Sequence, residues 1–417
     1  MSEAIQTRCC IAGGGPAGMM LGFLLARAGV DVEVLEKHGD FLRDFRGDTV
    51  HPSTLEVMYE LGLLERFLKL PHQELQELAG QVGSEAVTIA DFRHVPTHCK
   101  FIALMPQWDF LDFIAVEAKR YAGFHLRMRA EVTELIQENG KVAGVRAKTP
   151  EGMLEVRAEL TIGADGRHSV VRERAGLEVI NLGAPIDVLW MRIRRRGSDP
   201  GQTFGHVDAG KMLVMLDREE YWQCAYVIPK GGFDEMPQKG IEALREDIAK
   251  LSPFLRDRVG ELRDWKDVSL LTVTVDRLQR WHLPGLLCIG DAAHAMSPVG
   301  GVGINLAIQD AVAAANILSE KLRDGTVRES DLRAVQRRRM FPTRATQRLQ
   351  VFVQNRVIQR VLATTKPLAL PWPMKLVRRW PVLRRILPRI VGVGFRPEHV
   401  KTPEAKNGLS TPVASGR

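Results

Sequence analysis

Three Gly/Asp-rich segments stand along the chain, each at the end of an apolar run: Gly13-Gly14-Gly15-Pro16-Ala17-Gly18, Gly163-Ala164-Asp165-Gly166 and Gly290-Asp291-Ala292-Ala293-His294. The first follows Cys9-Cys10-Ile11-Ala12 and opens the apolar stretch from Met19 to Ala28, so it reads as strand, tight turn and helix. Glycine suits that turn because the chain must bend sharply, approach a pyrophosphate with no side chain between, and aim unpaired helix N–H groups at it. The run Val30 to Leu35 alternates like a second strand and delivers Glu36, 18 residues after Gly18, where a carboxylate accepts hydrogen bonds from a ribose diol. Alone, this segment leaves NAD, NADP and FAD open, and a turn that only needs small residues explains it too.

The other two segments narrow the choice. Leu160-Thr161-Ile162 and Leu286-Leu287-Cys288-Ile289 each end in a Gly/Asp segment, which places an acid at the carboxyl edge of a buried strand, where open α/β sheets bind ligands. After Asp291 come Pro298-Val299-Gly300-Gly301-Val302-Gly303 and a helix whose apolar stripe is Ile304, Ile308, Ala311, Ala315, Leu318 and Leu322. A glycine-lined helix start offers free N–H groups and partial positive charge, suited to the negative charge of a reduced flavin ring. A nicotinamide dehydrogenase has no need of this third element.

With its three segments in this order, the chain resembles the single-component FAD-dependent aromatic hydroxylases, typified by p-hydroxybenzoate hydroxylase, with relatives in ubiquinone biosynthesis and tetracycline modification. The resemblance covers residues 8 to 322 and implies non-covalent FAD, with NADPH or NADH as reductant. It implies that Gly13, Gly15, Ala17 and Gly18 hold the pyrophosphate and that Glu36, beside Lys37, holds the adenosine ribose. Asp165 is implied near the pyrophosphate and Asp291 on the ribitol chain, with Pro298 and Gly301 to Asn305, including Gly303 and Ile304, around the flavin ring. Arg46 matches the family's arginine near the flavin, and Gln107, more loosely, a polar residue over the ribityl chain. The family chemistry is reduction of FAD, addition of O2 at flavin C4a, and delivery of one oxygen from the hydroperoxide to an electron-rich, phenolic or quinone-like ring.

In such chemistry the cofactor does the hard step, so few side chains need act as acids or bases. Arg46 and Pro298 are the candidates nearest the chemistry, and His294 reads as a shaper of its loop. His51, His206 and Tyr226 are the side chains able to activate a phenol, and none is assigned. Trp190, Met191, Phe204, Met212, Trp222 and Tyr226 are candidates to line the substrate pocket, although ordinary core packing explains many such positions. Rival readings remain: a halogenase, whose Trp-x-Trp-x-Ile-Pro signature is absent, an FAD-dependent reductase of isoprenoid or polyketide metabolites without oxygen insertion, and a non-catalytic FAD-stabilised binding protein.

The expected fold class is α/β. A Rossmann-like FAD domain (1–72, 101–183 and 273–325) interleaves with a mainly antiparallel substrate domain (73–100 and 184–272). A basic helical region follows over 326–400, and a disordered tail over 401–417. Ser53-Thr54-Leu55-Glu56 reads as a capping box opening a helix that runs to Leu70, and Asn139-Gly140 as a hairpin turn. Five scattered cysteines lack metal-ligand spacing and read as reduced and packed, so no metal is expected. No secretory signal precedes the first strand, and the expected location is cytoplasmic.

From Leu332 to Pro397 there are sixteen Lys and Arg residues and no Asp or Glu, against a net charge of +8 for the whole chain. The rest of the chain is therefore net negative. Within Pro367 to Val393 the cations alternate with Trp372, Leu376, Val377, Trp380, Val382 and Leu383, a mixture suited to an anionic membrane surface. Peripheral contact with the inner face of a membrane is the expectation there, and it fits a lipophilic substrate. For Leu332 to Val361, helices capping the flavin domain with their arginines in solvent are expected. No base-stacking platform accompanies the charge, so nucleic acid is not an expected partner.

Overall fold

The computed structural model of the chain describes residues 3–42, 49–200, 204–366 and 368–405. Its strands used below are β1 (Glu3–Ala12), β2 (Val32–Glu36), β3 (Glu77–Val82), β4 (Glu85–Asp91), β5 (Phe124–Met128), β6 (Gly152–Gly163), β7 (Ile186–Arg194), β8 (Phe204–Asp208), β9 (Lys211–Asp217), β10 (Tyr221–Pro229), β11 (Ser269–Leu271) and β12 (Leu286–Cys288). The helices are α1 (Pro16–Arg27), α2 (Pro52–Glu60), α3 (Gln107–Ala118), α4 (Ile241–Leu251), α5 (Gly303–Asp324), α6 (Glu329–Val353) and α7 (Trp372–Arg379).

The fold is mixed α/β. Strands β12, β6, β1, β2 and β5 lie side by side in that order, every pair parallel. Parallel sheets are covered on both faces, which is why β2 and β12 are buried at every position. Helix α1 packs between α3 and α5 in one continuous core with this sheet. A hairpin, Glu131–Glu138 with Lys141–Thr149, extends the sheet from β6, and its turn residues Asn139 and Gly140 both have positive φ, the geometry of the tight hairpin turn.

The second sheet runs β11, β7, β10, β9, β8, β3, β4, antiparallel except where β8 meets β3. Its two faces have different covers. Leu189, Met191, Leu213, Met215, Trp222, Cys224 and Tyr226 pack with Ile241, Leu244 and Ile248 of α4. The opposite face, Ile186, Met212 and Val227, packs with Val299 of the glycine loop, with Val353 at the end of α6 and with Ile358 and Leu362 beyond it.

Two local expectations need correction. The expected cap at Ser53 lies two residues inside the helix: His51 is the N-cap, with extended backbone and no side-chain cap bond, and Pro52, whose φ is already helical, starts α2. That helix stops at Glu60 instead of Leu70, because Gly62 takes a left-handed φ of 69°. The chain is also ordered past Lys401. The Thr402 carbonyl accepts a hydrogen bond from Arg27 at 2.9 Å and the Glu404 carboxylate one from Tyr121 at 2.7 Å, so expected disorder from 401 to 405 does not hold. Residues 406–417 lie outside the described residues. One described helical segment, Val299–Asp324, is long and apolar enough to cross a membrane, and it is mostly buried in the protein core. All five cysteines are buried free thiols.

Residues 398–405 therefore form a strap across α5 and α1 that reaches Tyr121, just past the end of α3. A chain ending at Pro397 loses Glu398 from beside the buried Arg339 as well as the Arg27 and Tyr121 bonds. It is expected to lose about 3 kcal/mol or more in denaturant unfolding, with faster amide exchange at the end of α1. An unchanged unfolding midpoint would show that the strap contributes nothing.

Candidate cofactor and active site

The carboxyl ends of β1, β6 and β12 bring the three Gly/Asp segments together. Gly13 has a φ of 105°, and a Cβ there would overlap the Ala164 carbonyl, so the first two segments touch through bare backbone. Two bonds hold this approach: Gly13 N–H to Leu35 O and Ala164 N–H to Ala12 O, both 2.8 Å. A Cβ on Gly290 would meet Ala17 and Ala307, which fits the third segment between α1 and α5. Gly18 lies against the Gly13 carbonyl in the same way.

The space above Gly15 and Gly166 is open, with no atom within 4 Å of an added Cβ at either position. Gly15 is the N-cap of α1 and gives no side-chain cap, and buried Ala17 lies in the first turn. Free N–H groups, partial positive charge and open backbone make a cradle for a pyrophosphate, and the residues present fit a dinucleotide cofactor. Glu36 ends β2 and accepts from Gly14 N–H at 2.9 Å and from His38 N–H at 3.0 Å, so it braces the turn; Lys37 beside it is exposed. Asp165 supports the start of a short helix capped by Ser169, accepting from Ser169 Oγ at 2.5 Å and Val171 N–H at 3.1 Å. Its carboxylate thus shapes the turn, and its backbone is what meets Gly13. Asp291 is exposed at the end of β12, and Gln107 is half-buried at the start of α3.

Around the flavin-ring segment, Pro298 O accepts from Gly301 N–H at 3.0 Å and closes a turn in which Gly300 and Gly301 have φ of 81° and 63°. A Cβ on Gly301 would overlap the Thr49 side chain, whose hydroxyl donates to Gly301 O at 3.0 Å. Asn305 joins this turn to residues 49–54: its Oδ1 accepts from His51 N–H at 3.0 Å and Thr54 Oγ at 2.7 Å, and its Nδ2 reaches Gly301 O at 3.3 Å. Gly303 and Ile304, both half-buried, open α5. Arg46 lies outside the described residues.

His51 is fully buried with Nδ1 2.9 Å from Val391 O; Nδ1–H donates, which leaves Nε2 as a buried lone pair without a partner. Burial pushes its pKa down to about 4, partly opposed by the Val391 bond. His206 is also buried and its pKa lowered, first by burial. Tyr226 donates to Asp247 of α4 at 2.8 Å and its pKa is raised, first by burial.

The pocket expectation is corrected in part. Met191, Trp222 and Tyr226 lie on the α4 face of the second sheet, and Trp222 donates to Asp199 at 2.9 Å. Half-buried Trp190 is on the other face, with Val188, Val214 and Ala225. Phe204 lies in β8.

A buried ionic cluster had no counterpart in the sequence reading. Asp310 accepts from Gly290 N–H at 3.1 Å, its Oδ2 lies 2.6 Å from His294 Nε2, and its Oδ1 accepts from Arg339 at 2.9 Å. Arg339 also pairs with Glu398 at 3.3 Å, and the Glu398 N–H donates to the Gln309 side chain. Burial pushes the Asp310 carboxyl up, but His294 and Arg339 outweigh it and hold it below the usual range. The polar pair Gln309-Asp310, set in an otherwise Ala-rich apolar stretch, is the sequence feature at its position, and sequence alone does not show that it is buried.

A family model described as an FAD binding domain matches residues 6–349. A 6-methylpretetramide 4-monooxygenase of Streptomyces rimosus is 32% identical over 393 residues, covering 93% of each chain. The chain belongs to this family of FAD-dependent monooxygenases. A bifunctional 12-dehydrotetracycline 5-monooxygenase/anhydrotetracycline 6-monooxygenase of Streptomyces rimosus is 28% identical over 72% of this chain and 60% of its own length. Among solved structures, the p-nitrophenol 4-monooxygenase PnpA of Pseudomonas putida shares the fold with a TM-score of 0.74 at 20% identity, over 94% of this chain and 100% of that one. PqsL of Pseudomonas aeruginosa, a probable FAD-dependent monooxygenase, gives 0.73 at 22% identity over 86% and 98%. FAD is the cofactor that the open backbone cradle serves.

Two outcomes follow from this geometry. Gly13→Ala places a methyl group against the Ala164 carbonyl at a φ unfavourable to L-residues, so it should cost about 2 kcal/mol or more and leave purified protein with less than a tenth of the wild-type FAD. Retained flavin would disprove the close-approach argument. For His51, the folded pKa near 4 lies below the unfolded value of 6.5. The unfolded state thus binds more protons between those values, and stability is present above about pH 6.5 and falls toward pH 4, by at most on the order of 3 kcal/mol. Denaturation midpoints measured against pH should fall over that window in wild type and less steeply in His51→Gln.

Proposed function

We propose that the chain inserts one oxygen atom from O2 into a lipophilic phenolic or quinone-like aromatic substrate, with NADPH or NADH as reductant. The observation that carries this reading is the apolar patch of Val188, Trp190, Val214 and Ala225, on the same sheet face that packs through Ile186, Met212 and Val227 on Val299 of the glycine turn. Such a face binds a flat apolar ring system and excludes water. The relative at 32% identity, named for oxidation of a pretetramide, supports a polycyclic substrate.

Bound FAD supplies the electron transfer from the nicotinamide and the activation of O2. The chain's residues bind and position: the Gly13 to Gly18 turn and Glu36 the adenosine diphosphate end, Asp291, Gln107 and Arg46 the middle of the cofactor, and Pro298 to Asn305 the ring. The Asn305 bonds to His51, Thr54 and Gly301 keep that turn in register with residues 49–54. The reading assigns no protein base. The test is NAD(P)H oxidation by purified holoenzyme over a panel of phenols, naphthols and polycyclic quinols, with O2 uptake and product mass. A substrate that accelerates oxidation at least tenfold and gains one oxygen atom is the expected result. Reduced product without O2 uptake would instead establish a reductase.

The proposal includes a cytoplasmic enzyme in peripheral contact with a membrane. Trp372, Trp380, Val382 and Ile386 are 72%, 53%, 60% and 56% exposed, among Lys375, Arg378, Arg379, Arg384 and Arg385. The inward side of the same segment is anchored, with Leu368 and Met374 against Val82 and Val87, and Leu387 and Val393 against Phe92 and Ile102. Holoenzyme should co-sediment with anionic phosphatidylglycerol vesicles at low salt, and Trp372→Ser/Trp380→Ser should reduce the bound fraction at least threefold. Equal absence of binding in both proteins at low salt would remove this contact.

A further inference from the structure

Helix α6 leaves one face uncovered, and that face has a regular composition. Between Arg333 and Phe352 the exposed positions are Arg333, Arg337, Phe341, Arg344, Arg348 and Phe352. Spacings of four, four, three, four and four keep them in a single stripe, about 28 Å long at 1.5 Å per residue. The triplet Arg-Arg-Phe is repeated eleven residues later, which is close to three helical turns. Phe341 is 59% exposed and Phe352 60%.

The stripe forms one wall of a groove. Opposite Arg337, Phe341 and Arg344 stand Gln279, Arg280 and His282, enclosing about 800 Å³. Past Arg348 the groove continues for about 330 Å³ between Phe352 and Arg356 on one side and Leu182 and Arg277 on the other. Its charge is almost wholly positive. Glu329, at one end, pairs with Arg280 at 2.5 Å and Arg333 at 3.5 Å. Among the described residues, Arg337, Arg344 and Arg348 have no carboxylate partner. Arg277 is held below its usual range by burial and then by the charges of Arg344 and Arg348, so the cations crowd one another. His282, 2% exposed, has a ring nitrogen without a hydrogen-bond partner.

Opposite charges three or four residues apart stabilise a helix face that meets water, and like charges at that spacing destabilise it. Here like charges stand four apart and the apolar side chains are large and exposed. No carboxylate among the described residues supplies the counter-charge at Arg337, Arg344 and Arg348. The groove is concave, which a flat bilayer cannot enter, and its repeat is that of a helix lying alongside another. We propose that this face of α6 docks an acidic amphipathic helix of a partner protein, its carboxylates meeting Arg337, Arg344 and Arg348 and its apolar side chains, eleven residues apart, packing on Phe341 and Phe352. This inference stands apart from the proposed oxygen insertion, because its readout is binding and needs no turnover.

The test uses holoenzyme and a fluorescent 22-residue helical peptide with paired Glu four residues apart and Leu at eleven-residue spacing. A peptide of the same composition with its charges spread around the helix is the control. By anisotropy in 0.1 M salt, the patterned peptide is expected to bind at least tenfold tighter than the control. Arg337→Glu/Arg348→Glu should weaken it at least tenfold and instead favour a peptide with Lys for Glu. Phe341→Ser/Phe352→Ser should weaken it while flavin content stays at the wild-type level. Equal binding of patterned and control peptides, or indifference to charge reversal, overturns the proposal. So does tighter binding of phosphatidylglycerol vesicles or a 20-nucleotide single strand that is lost on the same charge reversal.

Discussion

The carboxylate of Asp310 is the point on which the placement of the third Gly/Asp segment depends. Fully buried, it reaches Gly290 N–H, His294 and Arg339 at once, and through Arg339 it reaches Glu398 of the strap. Four stretches far apart in sequence are thereby held around one charge. Desolvating such a group is costly, and a buried ion cluster is weak evidence of stability, because an apolar replacement of the same shape is often as stable. Its consequence lies in uniqueness. An apolar contact tolerates sliding, whereas a buried carboxylate must keep all its donors, which sets the loop between β12 and α5 in one position relative to α1.

That position matters because the other contacts of the cofactor cradle are made by glycine backbone. Gly13 lies against the Ala164 carbonyl and Gly301 against the Thr49 side chain with no room for a Cβ, and on Gly290 a Cβ would stand 3.0 Å from that of Ala17. Bare backbone carries little information about register, so polar side chains supply it. Glu36 braces the first turn, Asp165 the second, and Asp310 and Asn305 the third. Three of these are acids set at or just beyond a strand end or within a buried helix. Each accepts from main-chain N–H groups, a charge-assisted bond stronger than a neutral one.

The glycine segments and the parallel strands were legible in the sequence because their requirement is local: a turn without a side chain, after a short and mostly apolar run. Asp310 and Arg339 were not, since a charge in a helical sequence has the same appearance whether it faces solvent or a buried partner 29 residues away. The pocket residues failed for another reason. In β10, seven consecutive residues from Trp222 to Ile228 are buried, so alternation assigns Trp222, Cys224 and Tyr226 to one face without saying which cover lies over it. Only the placement of α4 on one side and of Val299 and Ile358 on the other tells the faces apart.

The basic tract shows the same limit from the opposite direction. Its sixteen cations read as one block in sequence, yet Arg339 is 1% exposed and neutralised by two carboxylates, while Arg337 two residues earlier faces the groove. Helical geometry separates them, because a displacement of two residues is about 200° around the axis. Once the inward set is removed, the outward set of α6 is ordered, with two Arg and one Phe per three turns. A face whose only task is solubility does not require that order, and charge without counter-charge opposes the compact fold. The structure thus stores an electrostatic imbalance at its surface in a repeating form, far from the glycine turns, on the helix whose opposite side holds Asp310 in place.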